Sequence, residues 1–281
     1  MAPKTAFETA VVDDQPHVLA ANGALDRLRV LQAAAAAATV PDNGTEGGDS
    51  SDGGVPADAP FEVDAVDELG NAPIVYSCKA GSVEVTEWLV GLSADINKPG
   101  HAGLRAIHHA VGNGHEALVT YLLEAGVDLD AADENGNSPL HLGAARGVQV
   151  RGLRRRPSRT AARSPALTLS LSLPHQNIVV SLLSHNAVVG ARSATGMSAL
   201  HRACIGGHVG IAKLLLKNTA DPNLQDKESN TPLHYAAMVG SEACCAALLA
   251  GGAQLNIMNR HSKLAADVAS EPAIVKMLQA Q

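Results

Sequence analysis

Apolar residues recur along most of this chain in pairs of short blocks, and a glycine separates the two blocks of each pair. In one pair, Pro232-Leu233 opens the first block, Gly240 follows it, and the second block ends in Leu248-Leu249. Within a block the apolar residues fall three or four positions apart, which places them on one face of an α-helix. A glycine between two such helices is typical of a left-handed turn. The pattern therefore predicts pairs of short antiparallel helices, with turn glycines at Gly81, Gly114, Gly147, Gly207 and Gly240.

The helix pairs repeat with a period of 33 residues, apart from one longer step. The turn position before each first helix is spaced 33, 33, 60, 33 and 33 residues from one repeat to the next. The long step equals 33 plus 27, and the segment 148–174 is 27 residues long, so its removal restores the register. The chain therefore contains six repeats, and the third carries an insertion. The aligned turn residues are Gly70, Gly103, Gly136, Gly196, Ser229 and Ser262.

Each first helix is expected to begin with a variant of one tetrapeptide, of which Ser138-Pro139-Leu140-His141 and Thr231-Pro232-Leu233-His234 are complete examples. Serine or threonine can cap the helix, and proline suits its first turn because the missing N–H would be unpaired there. These residues and the period resemble the ankyrin repeat, whose signature is Thr-Pro-Leu-His-x-Ala. The resemblance covers about 67–281. It implies an all-α fold, an ankyrin-repeat solenoid of stacked helix-turn-helix units with β-hairpin-like loops.

The resemblance and the local composition divide the chain into five segments. Residues 1–39 contain a helix-glycine-helix pattern and are expected to be ankyrin-like capping helices. Residues 40–66 are expected to form an acidic loop rich in Gly, Ser and Asp, because Val40 to Glu68 contains nine acidic residues and no Lys or Arg. The remaining segments are ankyrin repeats at 67–147, an Arg-rich insertion at 148–174, and ankyrin repeats with a C-terminal cap at 175–281.

The insertion differs from the rest of the chain in its charge. It contains six arginines and no acidic residue, although the formal net charge of the whole chain is -7. One interpretation is a basic loop for nuclear localisation or anion binding. The other is a retained intron or a gene-model error, because the Leu, Ser and Pro residues that end at Pro174 are what a pyrimidine-rich splice tract would encode. We favour the second interpretation, and the sequence leaves both open.

Composition refines this picture. Aromatic residues make up only 2% of the chain, which suits thin, closely stacked repeats better than a large globular core. The four cysteines have no paired spacing, which argues against a disulfide framework and a zinc knuckle, and we expect Cys244 and Cys245 to pack in the core. No signal peptide or apolar run of membrane-spanning length is found. We therefore expect a soluble protein of the cytoplasm, with the nucleus as a second location.

Histidines recur in register and raise the question of a metal or catalytic site. Zinc needs three or four ligands that converge on one point, whereas equivalent positions of stacked repeats lie about one repeat apart. The resemblance implies instead that the first histidine of each repeat hydrogen-bonds the turn and ties one repeat to its neighbour. We therefore predict a non-enzymatic protein with no catalytic, cofactor-binding or metal-binding residues. The histidines at this position are His108, His141, His201 and His234.

Function in such a stack is expected at the hairpin tips and on the exposed face of the first helices, because the other positions build the scaffold. We predict an adaptor, scaffold or regulator that is a monomer and binds a partner protein through this concave surface, with neither nucleic acid nor membrane as the expected partner. The alternative is a nuclear or nucleic-acid-associated regulatory factor that acts through the Arg-rich insertion. The predicted protein-binding residues are Asn71, Lys79, Leu104, Asn113, Asn137, Arg146, Met197, Ile205, Asn230, Met238 and Val239.

Overall fold

A computed structural model describes residues 16–22, 26, 62–146 and 173–279 of the chain. These ranges contain twelve α-helices and one short 3-10 helix, and no strand is found within them. The predicted all-α class is therefore confirmed. The chain forms two compact units, residues 1–101 and 102–281.

The first unit contains three of the helices. They are α1 (Pro16–Ala21), α2 (Pro73–Ala80) and α3 (Val83–Gly91). Helix α1 packs against α2, and α2 packs against α3. Leu19 and Ala20 of α1 are completely buried, so this short helix contributes apolar side chains to the core of the unit.

Two predicted segments fall largely outside the described residues. Of the proposed capping segment 1–39, only α1 and two further residues are described, and of the acidic segment 40–66 only 62–66 are described. The boundaries and roles given to both segments therefore stay predictions.

The second unit arranges its helices in two layers. The first helices of the repeats pack side by side as an inner layer, and the second helices pack side by side as an outer layer. Helix α12 (Pro272–Gln279) packs against the last outer helix. The inner helices are α4 (Ala106–Asn113), α6 (Pro139–Ala145), α8 (Ala199–Ile205) and α10 (Pro232–Val239). The outer helices are α5 (Glu116–Glu124), α7 (Leu173–Ser184), α9 (Val209–Lys217) and α11 (Glu242–Ala250).

The tetrapeptide starts the inner helices in the predicted way. In α10 the backbone N–H of Thr231 donates to Nδ1 of His234 at 3.2 Å, and the Thr231 hydroxyl lies 2.8 Å from the same nitrogen. Pro232 occupies the first turn, and Gly240 ends the helix with a left-handed φ of 82°. The left-handed conformation predicted for the turn glycines is confirmed at four of the five positions, and the fifth position lies outside the described residues. The confirmed positions are Gly81, Gly114, Gly207 and Gly240, and the position outside is Gly147.

Buried histidines connect successive repeats of the second unit. Because each ring Nδ1 accepts the N–H of a capping residue, Nε2 carries the proton and donates it to a carbonyl of the next repeat. His201 Nε2 lies 3.1 Å from the Asn230 carbonyl oxygen, and His234 Nε2 lies 3.1 Å from that of Lys263. The predicted structural role of these histidines is therefore confirmed. The remaining bonds of this kind join His108 to Asn137 and His141 to Met197.

The loops between repeats are β-hairpin-like turns that also bond to each other. In the fifth repeat, the N–H of Asp226 donates to the carbonyl of Asn230, and the N–H of Ser229 donates back to the carbonyl of Asp226, both at 3.0 Å. The N–H of Lys227 then donates to the Thr195 carbonyl in the tip of the repeat before, again at 3.0 Å. Backbone hydrogen bonds therefore link the tips as well as close them.

The insertion enters the third repeat between α6 and α7 without interrupting the packing of these helices. Helix α7 packs against α6 and against the outer helices on both sides, and its Ile178 and Leu182 are completely buried. By alignment with Val209 and Glu242, the outer helix of this repeat would begin at Gln176, but it begins three residues earlier. The last two residues of the predicted insertion therefore extend α7, and 147–172 lie outside the described residues.

Removing 148–174 should leave the fold intact. Joining Gly147 to His175 would restore the loop length of the other repeats, and closing a shorter loop costs less entropy. We expect the free energy of unfolding to rise by about 1–2 kcal/mol. Urea unfolding of both proteins, followed by circular dichroism, measures the change. A shortened protein that unfolds at lower urea than the full chain would show that the segment contributes stabilising contacts.

A left-handed position after the outer helices predicts a second change in stability. Thr219 has a φ of 65° there, whereas the equivalent Gly126 has a φ of 79°. A left-handed conformation costs an L-residue about 1–2 kcal/mol, and glycine costs about 0.5–1 kcal/mol in lost chain entropy. Thr219→Gly should therefore raise the free energy of unfolding by about 0.5–1 kcal/mol. Gly126→Thr is the matched control, because a Cβ at that position meets no atom within 4 Å. The control should lower stability by a similar amount in the same thermal melts, and equal signs for the two changes would contradict the argument.

The histidines that join the repeats predict a loss of stability in acid. Burial is the main cause that lowers the pKa of His201 and His234 below the ordinary value of 6.5, although the carbonyl partners partly offset it. The folded state therefore keeps these rings neutral at a pH where the unfolded chain takes up protons. Stability should be fully present above about pH 6.5 and should fall as the pH decreases towards the folded pKa values.

Substitution of one histidine tests this pH dependence. His234→Gln cannot titrate, so the slope of unfolding free energy against pH below about pH 6 should decrease by up to about 1.4 kcal/mol per pH unit. Leu233→Ala is the control, because Leu233 is also buried and its truncation should cost about 2–5 kcal/mol without changing the slope. Urea titrations at several pH values give both slopes. An unchanged slope in His234→Gln would mean that His234 does not link folding to proton uptake.

Candidate functional site

Three large apolar side chains are exposed at the ends of two neighbouring inner helices. Ile205 is the last residue of α8 and is 37% exposed, and Met238 and Val239 end α10 and are 47% and 50% exposed. Helices α8 and α10 pack against each other, so the three residues form one surface, which we call the apolar patch. The patch lies just before the left-handed Gly207 and Gly240, as predicted for exposed ends of the inner helices.

The third repeat presents a positive charge on the same inner layer. Arg146 follows α6 and is exposed, and its Nη1 donates to the carbonyl of Gly112 in the preceding repeat at 2.8 Å. Within the described residues Arg146 makes no ion pair with a carboxylate. Asn113, the other predicted site residue at this position, is half-buried. Of the two, Arg146 is the more accessible to a partner.

The structure corrects the placement of three predicted binding residues. Asn71, Asn137 and Asn230 are only 7%, 8% and 8% exposed, although their tip positions suggested accessible side chains. Each amide oxygen accepts a hydrogen bond from a later segment: Oδ1 of Asn230 from Nδ2 of Asn259 in the next hairpin, and Oδ1 of Asn137 from Nη2 of Arg202 on α8, both at 3.0 Å. In the first unit, Oδ1 of Asn71 accepts the N–H of His101 at 2.8 Å. These amides stabilise the loops and are not exposed for a partner.

The remaining predicted residues differ in their exposure. Lys79 is exposed on α2 of the first unit. Leu104 and Met197 are half-buried at the tips of the second and fourth repeats, and the Met197 carbonyl is already the acceptor of the His141 bond. A role of these three residues in binding stays a prediction.

Two residues that the sequence reasoning missed lie beside the apolar patch. Arg202 is three residues before Ile205 on α8, and Tyr235 is three residues before Met238 on α10, so each shares a helix face with a patch residue. The Tyr235 hydroxyl donates to Oδ2 of Asp226 at 2.6 Å, and burial followed by this bond raises the pKa of Tyr235 to about 12. The spacing of three residues was the signal that could have identified both.

Tyr235 is held in place from two sides. Its ring stands edge-on to that of His201, with 6.0 Å between the ring centroids, and its hydroxyl is fixed by Asp226. Aromatic side chains with an apolar ring and a fixed polar end are enriched at protein interfaces. The ring therefore extends the apolar surface towards the tips.

The described residues offer no arrangement suited to metal binding. No group of three or more His, Cys, Asp or Glu side chains in the ranges described could hold a metal ion. All four cysteines are free and buried, and Cys244 and Cys245 are completely buried on α11, which confirms their predicted packing. Burial raises the pKa of Cys78 to about 12, whereas the hydrogen bond with Cys204 is the main cause that lowers the pKa of Cys244 to about 7. Solvent does not reach the Cys244 thiol, so its lower pKa does not provide an accessible nucleophile.

The helices of the described residues are shorter than the span that crosses a lipid bilayer. Among the helices of the described ranges, none combines the length and the apolar composition that crossing a bilayer requires.

A family model and several known proteins resemble large parts of the chain. The family model described as "Ankyrin repeats (3 copies)" matches residues 74–151 and 167–259. The B-cell lymphoma 3 protein homolog of Mus musculus is 30% identical over 177 residues, which cover 61% of this chain and 34% of that protein. The human SH3 and multiple ankyrin repeat domains protein 2 is 27% identical over 203 residues, 72% of this chain and 10% of that protein.

A third relative covers a similar part of the chain. The human neurogenic locus notch homolog protein 1 is 29% identical over 183 residues, 58% of this chain and 7% of that protein. The chain thus spans about a third or less of the length of these relatives. The two segments matched by the family model leave out 152–166, which lie inside the predicted insertion. The family model covers more than half of the residues, and the helix pairs and hairpins described above have the architecture of this repeat. The chain therefore belongs to the ankyrin-repeat family.

Proposed function

We propose that the chain is a non-enzymatic protein-protein interaction module, an adaptor, scaffold or regulator that binds a partner protein through the inner layer of its second unit. Ankyrin repeats generally mediate protein-protein interaction, and the family match supports this function class. The observation that carries the proposal is the apolar patch, where Ile205, Met238 and Val239 are exposed together on adjacent helices.

The adjacency of the patch residues matters more than the exposure of any one of them. Single apolar side chains on a protein surface are normal, whereas a contiguous apolar surface with a polar rim marks interaction sites. The equivalent positions of the second and third repeats carry Gly112 and Ala145, so the scaffold itself does not require large apolar residues here. Covering the patch with a partner would remove this apolar area from water and favour association.

A charge inside the patch should abolish partner binding without unfolding the protein. Met238→Glu places a carboxylate where the partner's apolar surface would lie, and the Met238 side chain is already about half exposed to water. We expect its melting temperature to stay close to that of the unchanged chain. Mass spectrometry identifies the proteins that the immobilised chain retains. The Met238→Glu variant should no longer retain them.

Val180→Glu is the matched control for this experiment. Val180 is 46% exposed, nearly as much as Met238, but it lies on the outer helix α7. The control should retain the same proteins as the unchanged chain. If Met238→Glu is folded and retains them too, the apolar patch is not the binding site.

A second candidate function rests on the composition of the insertion. Six arginines without an acidic residue within 148–174 favour a nuclear or nucleic-acid-associated regulatory factor over a purely cytoplasmic adaptor. Several phosphate contacts would make affinity fall steeply with salt, whereas contacts at the apolar patch would depend on it little. Binding measured at several salt concentrations, with and without the segment, separates the two functions. The cytoplasm is the proposed location for the adaptor, and the nucleus for the factor.

A further inference from the structure

The apolar patch has a positive charge at one end. Arg202 shares a helix face with Ile205, and its Nη2 donates to Oδ1 of Asn137 at 3.0 Å. Among the described residues it forms no ion pair, and Asp226, a carboxylate of the neighbouring repeat, is occupied by Tyr235 and by backbone N–H groups. A guanidinium has five N–H donors in a fork that fits a carboxylate, so Arg202 can still bind one. Arg146 in the third repeat adds a second unneutralised positive charge towards the same end.

The other end of the patch has a negative charge. Glu271 precedes α12 and is exposed, and its Cγ lies 3.4 Å from the position that a Cβ on Gly240 would occupy. The neighbouring Ser270 donates its backbone N–H to the Ala237 carbonyl of α10 at 3.1 Å, which holds this segment against the end of the patch. Glu271 also makes no ion pair with a described residue. The charges that border the apolar patch are therefore positive at Arg202 and negative at Glu271.

We propose that the patch binds a segment of the partner protein with a matching order of charges. This proposal rests on the proposed function. An acidic side chain of the segment lies over Arg202, large apolar side chains cover the apolar patch, and a basic side chain lies over Glu271. Opposite charges at the rim of an apolar contact set the orientation of a partner and exclude segments with the reverse charges. The opposite charges beside the apolar patch thus select the direction in which the partner's segment binds.

The spacing of the charges also limits the segment. Arg202 lies on α8, and Glu271 lies against Gly240 at the end of the neighbouring α10. One helix spacing of about 8–10 Å across and about five residues along the helix separate the two charges, which gives about 11–13 Å. An extended segment covers this span with about three or four residues, and a helical one with about seven to nine. The acidic and basic side chains of the partner should lie that far apart in its sequence.

Selection from a random peptide library displayed on phage tests the inference. The immobilised full chain is the target, and parallel selections use Arg202→Glu, Glu271→Lys and Met238→Glu. The chain should enrich peptides with an apolar centre, an acidic residue at one end and a basic residue at the other. Arg202→Glu should enrich peptides in which the acidic end has become basic, and Glu271→Lys should convert the basic end to an acidic one. A peptide enriched on the unchanged chain should bind Arg202→Glu about fivefold more weakly.

Lys217→Glu is the control for charge reversal as such. Lys217 is exposed at the end of the outer helix α9, away from the inner layer, so its reversal should leave the enriched peptides unchanged. Circular dichroism of each variant establishes that it is folded before selection.

The outcomes separate this inference from the proposed function. If Met238→Glu loses the enriched peptides but Arg202→Glu leaves their charges unchanged, the patch is a binding site and the charge inference is wrong. If a folded Met238→Glu enriches the same peptides as the unchanged chain, the proposed binding site is wrong as well. Light scattering of the chain alone covers a further case: a dimer that Met238→Glu dissociates would assign the patch to a second copy and overturn the inference.

Discussion

The second unit depends on the bond between each buried imidazole and the next repeat. One nitrogen of His201 accepts the N–H that caps its own helix, and the other donates to the Asn230 carbonyl of the neighbouring hairpin. A single neutral ring thus accepts an N–H at the helix start and donates a second hydrogen bond to a loop carbonyl that also accepts the N–H of Asp226. Short helices with few aromatic residues bury little surface individually, so this connection fixes the register in which the alanines and leucines of neighbouring repeats can pack.

The same dependence explains why the third repeat tolerates an insertion. The contacts that hold this repeat run from His141 to the hairpin of the fourth repeat and from Ile178 and Leu182 into the outer layer. None of these contacts passes through the turn between α6 and α7, where 148–174 enter. Chain can be added at that turn because only the entropy of loop closure changes, and this entropy grows slowly with length.

The scaffold could be predicted from the sequence because local chemistry determines it. Thr231-Pro232-Leu233-His234 specifies its cap, first turn, core residue and bridge within four adjacent positions. The asparagine at the hairpin tip could not be placed in the same way. Whether the Asn230 side chain faces solvent or the next repeat depends on Asn259, which lies 29 residues away. Arg202 was missed because its position carries Leu142 in one repeat and Tyr235 in another, so no single residue type marks it.

The positions that build the fold and those that can bind a partner are physically separate. In α10, Leu233, Ala236 and Ala237 are buried between the layers, whereas Met238 and Val239 follow them on the last turn and are about half exposed. The histidine bond lies at the start of the helix, about one turn away from Met238. The exposed turn can therefore vary from repeat to repeat at little cost in stability, and a large apolar residue there needs a cause outside the scaffold. The order of Arg202, the apolar patch and Glu271 provides such a cause in a partner with complementary charges.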